Sequence, residues 1–215
     1  MTSSRLKSLV LVSSLACAAL ASLAACAPLV IGGAATAALM VTDRRTTGTV
    51  VEDERIELRG GSLMREAFGD RAHVNVTSYN RSVLLTGEVP DAAAKQRAEQ
   101  LVARIQNVKG VVNETAVLGT TTLAQRSNDV LITGKVKASL VDAADLNANA
   151  FRVVTERGIV YLMGLVTQRE AERATRITRN VGGVQRVVRI FEYIGEDELR
   201  RSEAAAPARP ASGSR

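Results

Sequence analysis

The chain has 215 residues, 46% hydrophobic and 23% charged, with 2 Cys, 1 His, no Trp and 3% aromatics. That length holds one medium domain or two small ones. One His and two Cys do not furnish a usual four-ligand zinc site, and the scarce aromatics argue against a stacking platform for single-stranded nucleic acid. The formal charge of +6 and the pI of 9.8 come mostly from the ends: residues 26–199 carry a net charge of only +1. The body is nearly neutral, so a broad nucleic-acid surface is not expected.

Residues 1–25 read as a signal peptide. Arg5 and Lys7 form a basic start, and Leu9 to Leu23 is an apolar stretch of signal-peptide length. It runs into Leu23-Ala24-Ala25-Cys26, where small residues suit a peptidase pocket. A Cys directly after them resembles the bacterial lipobox. Cys26 is then the lipid-attachment residue, carrying diacylglycerol and N-acyl groups, and Cys17 is discarded. Two other readings stand beside this one. The first is an ordinary secretory peptide with a chance Cys. The second is an uncleaved membrane anchor, because Leu9 to Val41 is apolar almost throughout. With the lipobox, the mature chain keeps no free thiol for redox or nucleophilic chemistry. Ala27 rather than Asp after the Cys resembles lipoproteins sorted to the outer membrane. Residues 26–46, rich in Ala and Gly, read as the lipidated N-terminus and a tether.

The rest contains an internal repeat. Val83-Leu84-Leu85-Thr86-Gly87-Glu88-Val89 aligns with Val160-Tyr161-Leu162-Met163-Gly164-Leu165-Val166 at an offset of 77, with four identities in seven. Val108-Lys109-Gly110-Val111 aligns with Val181-Gly182-Gly183-Val184 at an offset of 73. The four lost residues fall in the intervening helix. Four residues is about one turn, which preserves the buried face.

Each unit reads in the same order. The first helix is predicted over Asp53 to Phe68 and over Asn128 to Leu140, the latter capped by Ser127, Asn128 or Asp129. Two strands follow, joined by tight turns at Asn80-Arg81 and Arg157-Gly158. The second helix spans Asp91 to Gln106 and Gln168 to Val181; its apolar residues Ala94, Ala98, Leu101, Val102 and Ile105 recur at helical spacing. The last strand is predicted over Val111 to Val117 and over Val184 to Tyr193. Gly87 and Gly164 mark a close approach or a bulge in the second strand. The fold class is α+β: two tandem α-β-β-α-β domains, each with two helices on one face of a three-stranded mixed sheet. Their expected bounds are 47–118 and 127–195, with a linker at 119–126 and a disordered tail at 196–215.

Val-x-Leu-x-Gly-x-Val, an Ala-rich amphipathic helix, then Gly-Val-x-x-Val resembles the BON domain, most diagnostically at Val160 to Glu170. Two such domains behind a lipobox resemble the dual-BON outer-membrane lipoproteins. The resemblance implies a periplasmic module that binds anionic phospholipid and supports envelope integrity, with the second domain tied to lipid contact and to division sites. An envelope scaffold acting with the outer-membrane protein assembly machinery is the alternative. Neither needs a cofactor beyond the acyl groups.

Charge gives an independent asymmetry. Thr46 to Val117 is net −1, whereas Ser127 to Ile194 is net +3. On the helix from Asn128, Ile132, Val136 and Leu140 form the stripe expected to face the sheet. Leu131, Lys135 and Ala138 form a neighbouring stripe with Lys137 beside it. A large apolar side chain among lysines suits a headgroup–acyl boundary; the competing reading packs Leu131 against the first unit. Arg173 and Arg176 are the secondary basic face, within a run of Arg169, Arg173, Arg176 and Arg179 that otherwise reads as a solvated, ion-paired helix face. His73 reads as structural, and Asp53, Glu54 and Glu57 as a first-turn acidic cluster rather than a metal site. Gly182-Gly183 reads as a turn, with no Lys-Ser/Thr after it to make a phosphate loop. No nucleophile–base pair presents itself, and no enzyme is expected.

Overall fold

The computed structural model describes residues 43–119 and 121–205. The signal peptide and Cys26 lie outside them. The first helix, α1, spans Thr47–Phe68 and is capped by Thr46, whose hydroxyl accepts from the Thr49 N–H at 3.2 Å. It therefore starts earlier than the acidic residues suggest, and Asp53 does not stand in its first turn. Asp53 points inward and is buried.

Strands β1 (His73–Tyr79) and β2 (Ser82–Val89) pair antiparallel, with Val76 opposite Leu85. The turn between them places Asn80 and Arg81 at φ of 50° and 68°. Two consecutive positive φ values match the right-handed strand twist of a hairpin. Helix α2 (Ala92–Ala103) is capped by Asp91 and leads to β3 (Gly110–Asn113), parallel to β2. The expected single strand from Val111 to Val117 is broken, resuming only as β4, Ala116–Val117. The Asn113 side chain takes the Thr115 N–H at 3.2 Å and its hydroxyl at 2.7 Å, withdrawing Thr115 from the ladder.

The second domain repeats the plan. Helix α3 spans Leu123–Val141, β5 Phe151–Glu156, β6 Ile159–Val166, α4 Gln168–Arg179 and β7 Arg186–Tyr193. β5 and β6 are antiparallel, and β6 and β7 run parallel without interruption from Ile159–Arg186 to Val166–Tyr193. The linker is shorter than expected, because α3 begins at Leu123. The tail does not begin as disorder either: α5 spans Glu196–Ala205, with Leu199 buried.

In each domain both helices cover one sheet face. Ile56, Met64 and Phe68 of α1 and Ala94, Ala98 and Val102 of α2 meet Val83, Leu85 and Val89. Ile132, Val136 and Leu140 of α3 and Ala171 and Ala174 of α4 meet Val153, Val160, Leu162 and Val166. The small residues on α2 and α4 let each helix lie close to its sheet. Gly87 and Gly164 are close approaches, as read from the sequence. A Cβ would stand 2.0 Å from the His73 carbonyl oxygen at Gly87 and 2.5 Å from that of Ala150 at Gly164.

The opposite sheet faces meet each other. Tyr79 and Leu84 of the first domain cluster with Tyr161 and Met163 of the second, flanked by Val112, Val154, Val188 and Ile190. This is why β2 and β6 are buried nearly end to end rather than on alternate residues. Beside this apolar patch the domains exchange polar contacts. Asn75 donates to Glu156 at 3.0 Å, and Arg157 lies 3.7 Å from the fully buried Glu88. The end of the expected tether is not free. Asp43, Arg44 and Arg45 are held against both domains by ion pairs.

Candidate lipid-binding surface

Helix α3 carries the residues singled out for lipid contact. Its start is set by a capping box: the Thr122 hydroxyl accepts from the Gln125 N–H at 3.3 Å, and Gln125 Oε1 accepts from the Thr122 N–H at 2.9 Å. The expected caps at Ser127, Asn128 or Asp129 are corrected by this. Asp129 lies inside the helix, buried, and accepts from the N–H groups of Arg157 and Gly158 at 2.8 Å each.

The longer helix has two apolar faces. Asp129, Ile132, Val136 and Leu140 point into the domain. On the far side stand Leu123, Val130, Leu131 and Val141, at 80%, 70%, 62% and 68% exposure. At about 100° per residue, Leu123, Val130, Gly134 and Val141 align along one line, with Leu131 and Ala138 just beside it. Lys137 then flanks the stripe on one side and Lys135 on the other. Lys135, Lys137 and Ala138 are all exposed. Leu131 therefore does not pack against the first domain, which instead packs on the back of the second sheet.

Sequence reasoning named one edge of this stripe, Leu131 and Ala138, with the flanking Lys135 and Lys137, and missed Leu123, Val130 and Val141. The signal was present as Thr122-x-x-Gln125, a capping-box spacing that would have moved the helix start upstream. Asp129 is the sole acid between Leu123 and Val141, and it is turned inward. The outward face of α3 thus combines apolar area with Lys135 and Lys137, has the half-buried Arg126 beside Lys137, and carries no anion.

The second basic face is more occupied. Arg173 pairs with Asp145 at 3.0 Å, and its hydrogen bond holds the Asp145 carboxyl below the usual carboxylate range. Arg169 donates to the Asp145 carbonyl at 3.3 Å and lies 3.9 Å from Glu196. Arg176 is exposed on the same helix. Glu170, which lies among these arginines in sequence, is buried. It closes a capping box with Thr167 and binds Arg44.

The remaining candidates resolve as structure. Asp53 and Glu57 receive backbone N–H groups of the β1–β2 hairpin: Asn80 and Arg81 to Asp53, Ser78 to Glu57. His73 sits opposite Glu88 across β1 and β2; burial, with a smaller part from Arg126, lowers its pKa against the pull of Glu88. Among the described residues, no three His, Cys, Asp or Glu gather in a way that could hold a metal ion, and no helix is long and apolar enough to cross a membrane.

Two α-β-β-α-β units packed back to back define a tandem-domain class. The BON domain model matches residues 52–119 and 128–195, one match on each unit, and the chain belongs to the BON-domain family. More narrowly it is a dual-BON, DolP-like protein. It is 37% identical over 171 residues to the outer membrane lipoprotein DolP of Haemophilus influenzae, covering 79% of this chain and 89% of that one. It is also 34% identical over 154 residues to the 21 kDa hemolysin of Actinobacillus pleuropneumoniae, covering 71% and 79%.

Proposed function

We propose that this protein is a non-enzymatic outer-membrane lipoprotein, anchored through Cys26 on the periplasmic face, that binds anionic phospholipid through α3 and supports envelope integrity, with division sites as one place of action. The observation that carries this reading is the outward stripe of Leu123, Val130, Leu131, Ala138 and Val141 between Lys135 and Lys137. Full burial of a Leu- or Val-sized side chain contributes about 1.5–3 kcal/mol, and each Lys near an anionic surface about 1 kcal/mol. A monolayer's headgroup–acyl boundary offers both an apolar layer and negative charge at the depth of one helix. The similarity to DolP supports the outer-membrane placement, and Ala27 after the lipobox Cys agrees with it.

The test is sedimentation of residues 39–215 with vesicles. Binding to anionic vesicles, weak binding to zwitterionic ones, and loss of binding as salt rises are expected. The alternative, a scaffold for outer-membrane assembly proteins, predicts no dependence on headgroup.

A further inference from the structure

Asp43, Arg44 and Arg45 precede the first helix, yet their side chains reach both domains. Arg44 donates from Nη1 and Nη2 to Oε2 and Oε1 of Glu170 at 2.8 and 2.7 Å, and from Nη1 to the Leu165 carbonyl at 2.9 Å. The two side chains are 6% and 3% exposed. Arg45 turns the other way. It donates to Asp53 at 2.8 Å and to both oxygens of Asp43 at 3.1 and 2.7 Å, and its guanidinium lies 4.2 Å from the centre of the Tyr79 ring. Adjacent arginines thus grip opposite domains, beside the apolar patch where the two sheets meet.

The Glu170 end is prepared for this contact. Its carboxylate is fixed by the Thr167 N–H at 3.0 Å and sits in the first turn of α4, at the positive end of the helix dipole. Burial opposes its charge, but the Arg44 hydrogen bonds and the Thr167 N–H outweigh that and hold its pKa below the ordinary value. A bidentate Arg–carboxylate pair is among the stronger charged hydrogen-bond arrangements, and removing one partner of a buried pair is strongly unfavourable.

We propose that Asp43–Arg45 is an interdomain clasp that makes the segment leading from the N-terminus a structural part of the second domain. By covalent connection alone, the N-terminal segment is joined to the first domain, and the second hangs beyond it. With Arg44 seated on Glu170, residues 43–45 are fastened to the domain that carries α3 as well. The lipid anchor itself rests on the function proposed above; the clasp does not. Where both hold, the protein meets the membrane through the anchor and through α3, and each contact raises the effective concentration of the other.

The experiment is limited trypsin digestion of the full-length protein in detergent micelles, following cleavage after Arg44 and Arg45. The native protein should be cut slowly there. Glu170→Gln retains a side chain that serves the capping box but removes the charge, and should speed that cleavage at least about tenfold. Arg44→Ala should do the same for the cut after Arg45. Arg152→Ala removes the exposed interdomain pair with Glu57 and should change the rate less than about twofold. Native cleavage as fast as in the variants overturns the clasp. Cleavage spreading through the second domain at the same rate also overturns it, since Arg44 would then belong to that domain's fold. Vesicle binding of the same samples reports on α3 separately: its loss with the clasp slow to cleave counts against the lipid reading alone.

Discussion

Asp53 and Asp129 do the same work in the two domains: each is a buried helix carboxylate that chelates the turn of the hairpin beside it. Asp53 accepts from the Asn80 and Arg81 N–H groups at 2.8 and 2.7 Å, and Asp129 from those of Arg157 and Gly158 at 2.8 Å each. Arg81 and Arg157 adopt positive φ, an unfavourable region for a residue with a Cβ. The carboxylates supply the acceptors that hold those turns in place.

Asp129→Ala therefore leaves two turn N–H groups without their acceptor and should cost about 3 kcal/mol, a fall in Tm of about 6–12 °C. Asp53→Ala should cost at least as much, because it also removes one of the two carboxylate partners of Arg45 at the clasp. Thermal denaturation followed by circular dichroism measures both. A change of a degree or less for Asp129→Ala would show that the turn holds itself.

The glycines of the two central strands are equivalent in sequence but not in conformation. Gly87 has φ of 102° and its virtual Cβ meets a carbonyl oxygen at 2.0 Å, whereas Gly164 meets one at 2.5 Å without a positive φ. Gly87→Ala must move backbone and adopt a strained φ together, and should destabilise more than Gly164→Ala, by at least about 1 kcal/mol. Comparing the two melting temperatures tests the order.

Much of this arrangement was legible from sequence because it is local or repeated. The offset repeat fixed both hairpins, and the spacing of Ala94, Ala98 and Val102 gave the buried face of α2. The back-to-back packing was less accessible. It shows in Val83–Val89 only as a strand with too few exposed positions, since Thr86 and Glu88 look like solvent-facing residues. The ion pair of Arg44 with Glu170 joins residues far apart in the chain, which no local pattern announces. The sheet-to-sheet contact also bears on dissection of the protein: either domain expressed alone would expose Tyr79 and Leu84, or Tyr161 and Met163, to water.

Glu156 offers a test of that interface by pH. Burial raises its pKa, the Asn75 hydrogen bond pulls it down, and the charges of Glu88 and Asp129 raise it further. A carboxyl whose folded pKa lies above the ordinary 4.5 stabilises the fold fully below that value and loses its contribution as pH rises through the folded pKa. Glu156→Gln keeps an acceptor for Asn75 and removes the charge. It should raise Tm at pH 7, with the gain shrinking toward pH 4. An equal Tm for both proteins at pH 7 would mean that the buried charge is fully compensated.

If Cys26 is the point of attachment, Cys26→Ser should leave the protein in the soluble fraction or as an unprocessed precursor. Mass spectrometry of the native N-terminus decides it: an acylated Cys26 is expected, and any other mature N-terminus overturns the anchor.

On α3, neighbouring residues with opposite surroundings separate folding from lipid binding. Ile132 is 1% exposed and Leu131 62% exposed. Ile132→Ala removes core packing and should cost about 2–5 kcal/mol, lowering Tm while the helix that remains still offers its outward stripe. Leu131→Ala removes exposed apolar area and, on the proposed lipid reading, should weaken binding to anionic vesicles about five- to tenfold with little change in Tm. Val130→Ala should act in the same direction, being on the same stripe. Lys135→Glu reverses one charge beside it and should lower binding further at low salt than at high salt, because screening shortens its reach. The pattern across the four variants matters more than any one of them. Loss of Tm with Leu131→Ala, and vesicle binding unchanged by Leu131→Ala, Val130→Ala and Lys135→Glu alike, would remove α3 from the membrane contact and leave Arg176, on the exposed side of α4, as the next residue to test.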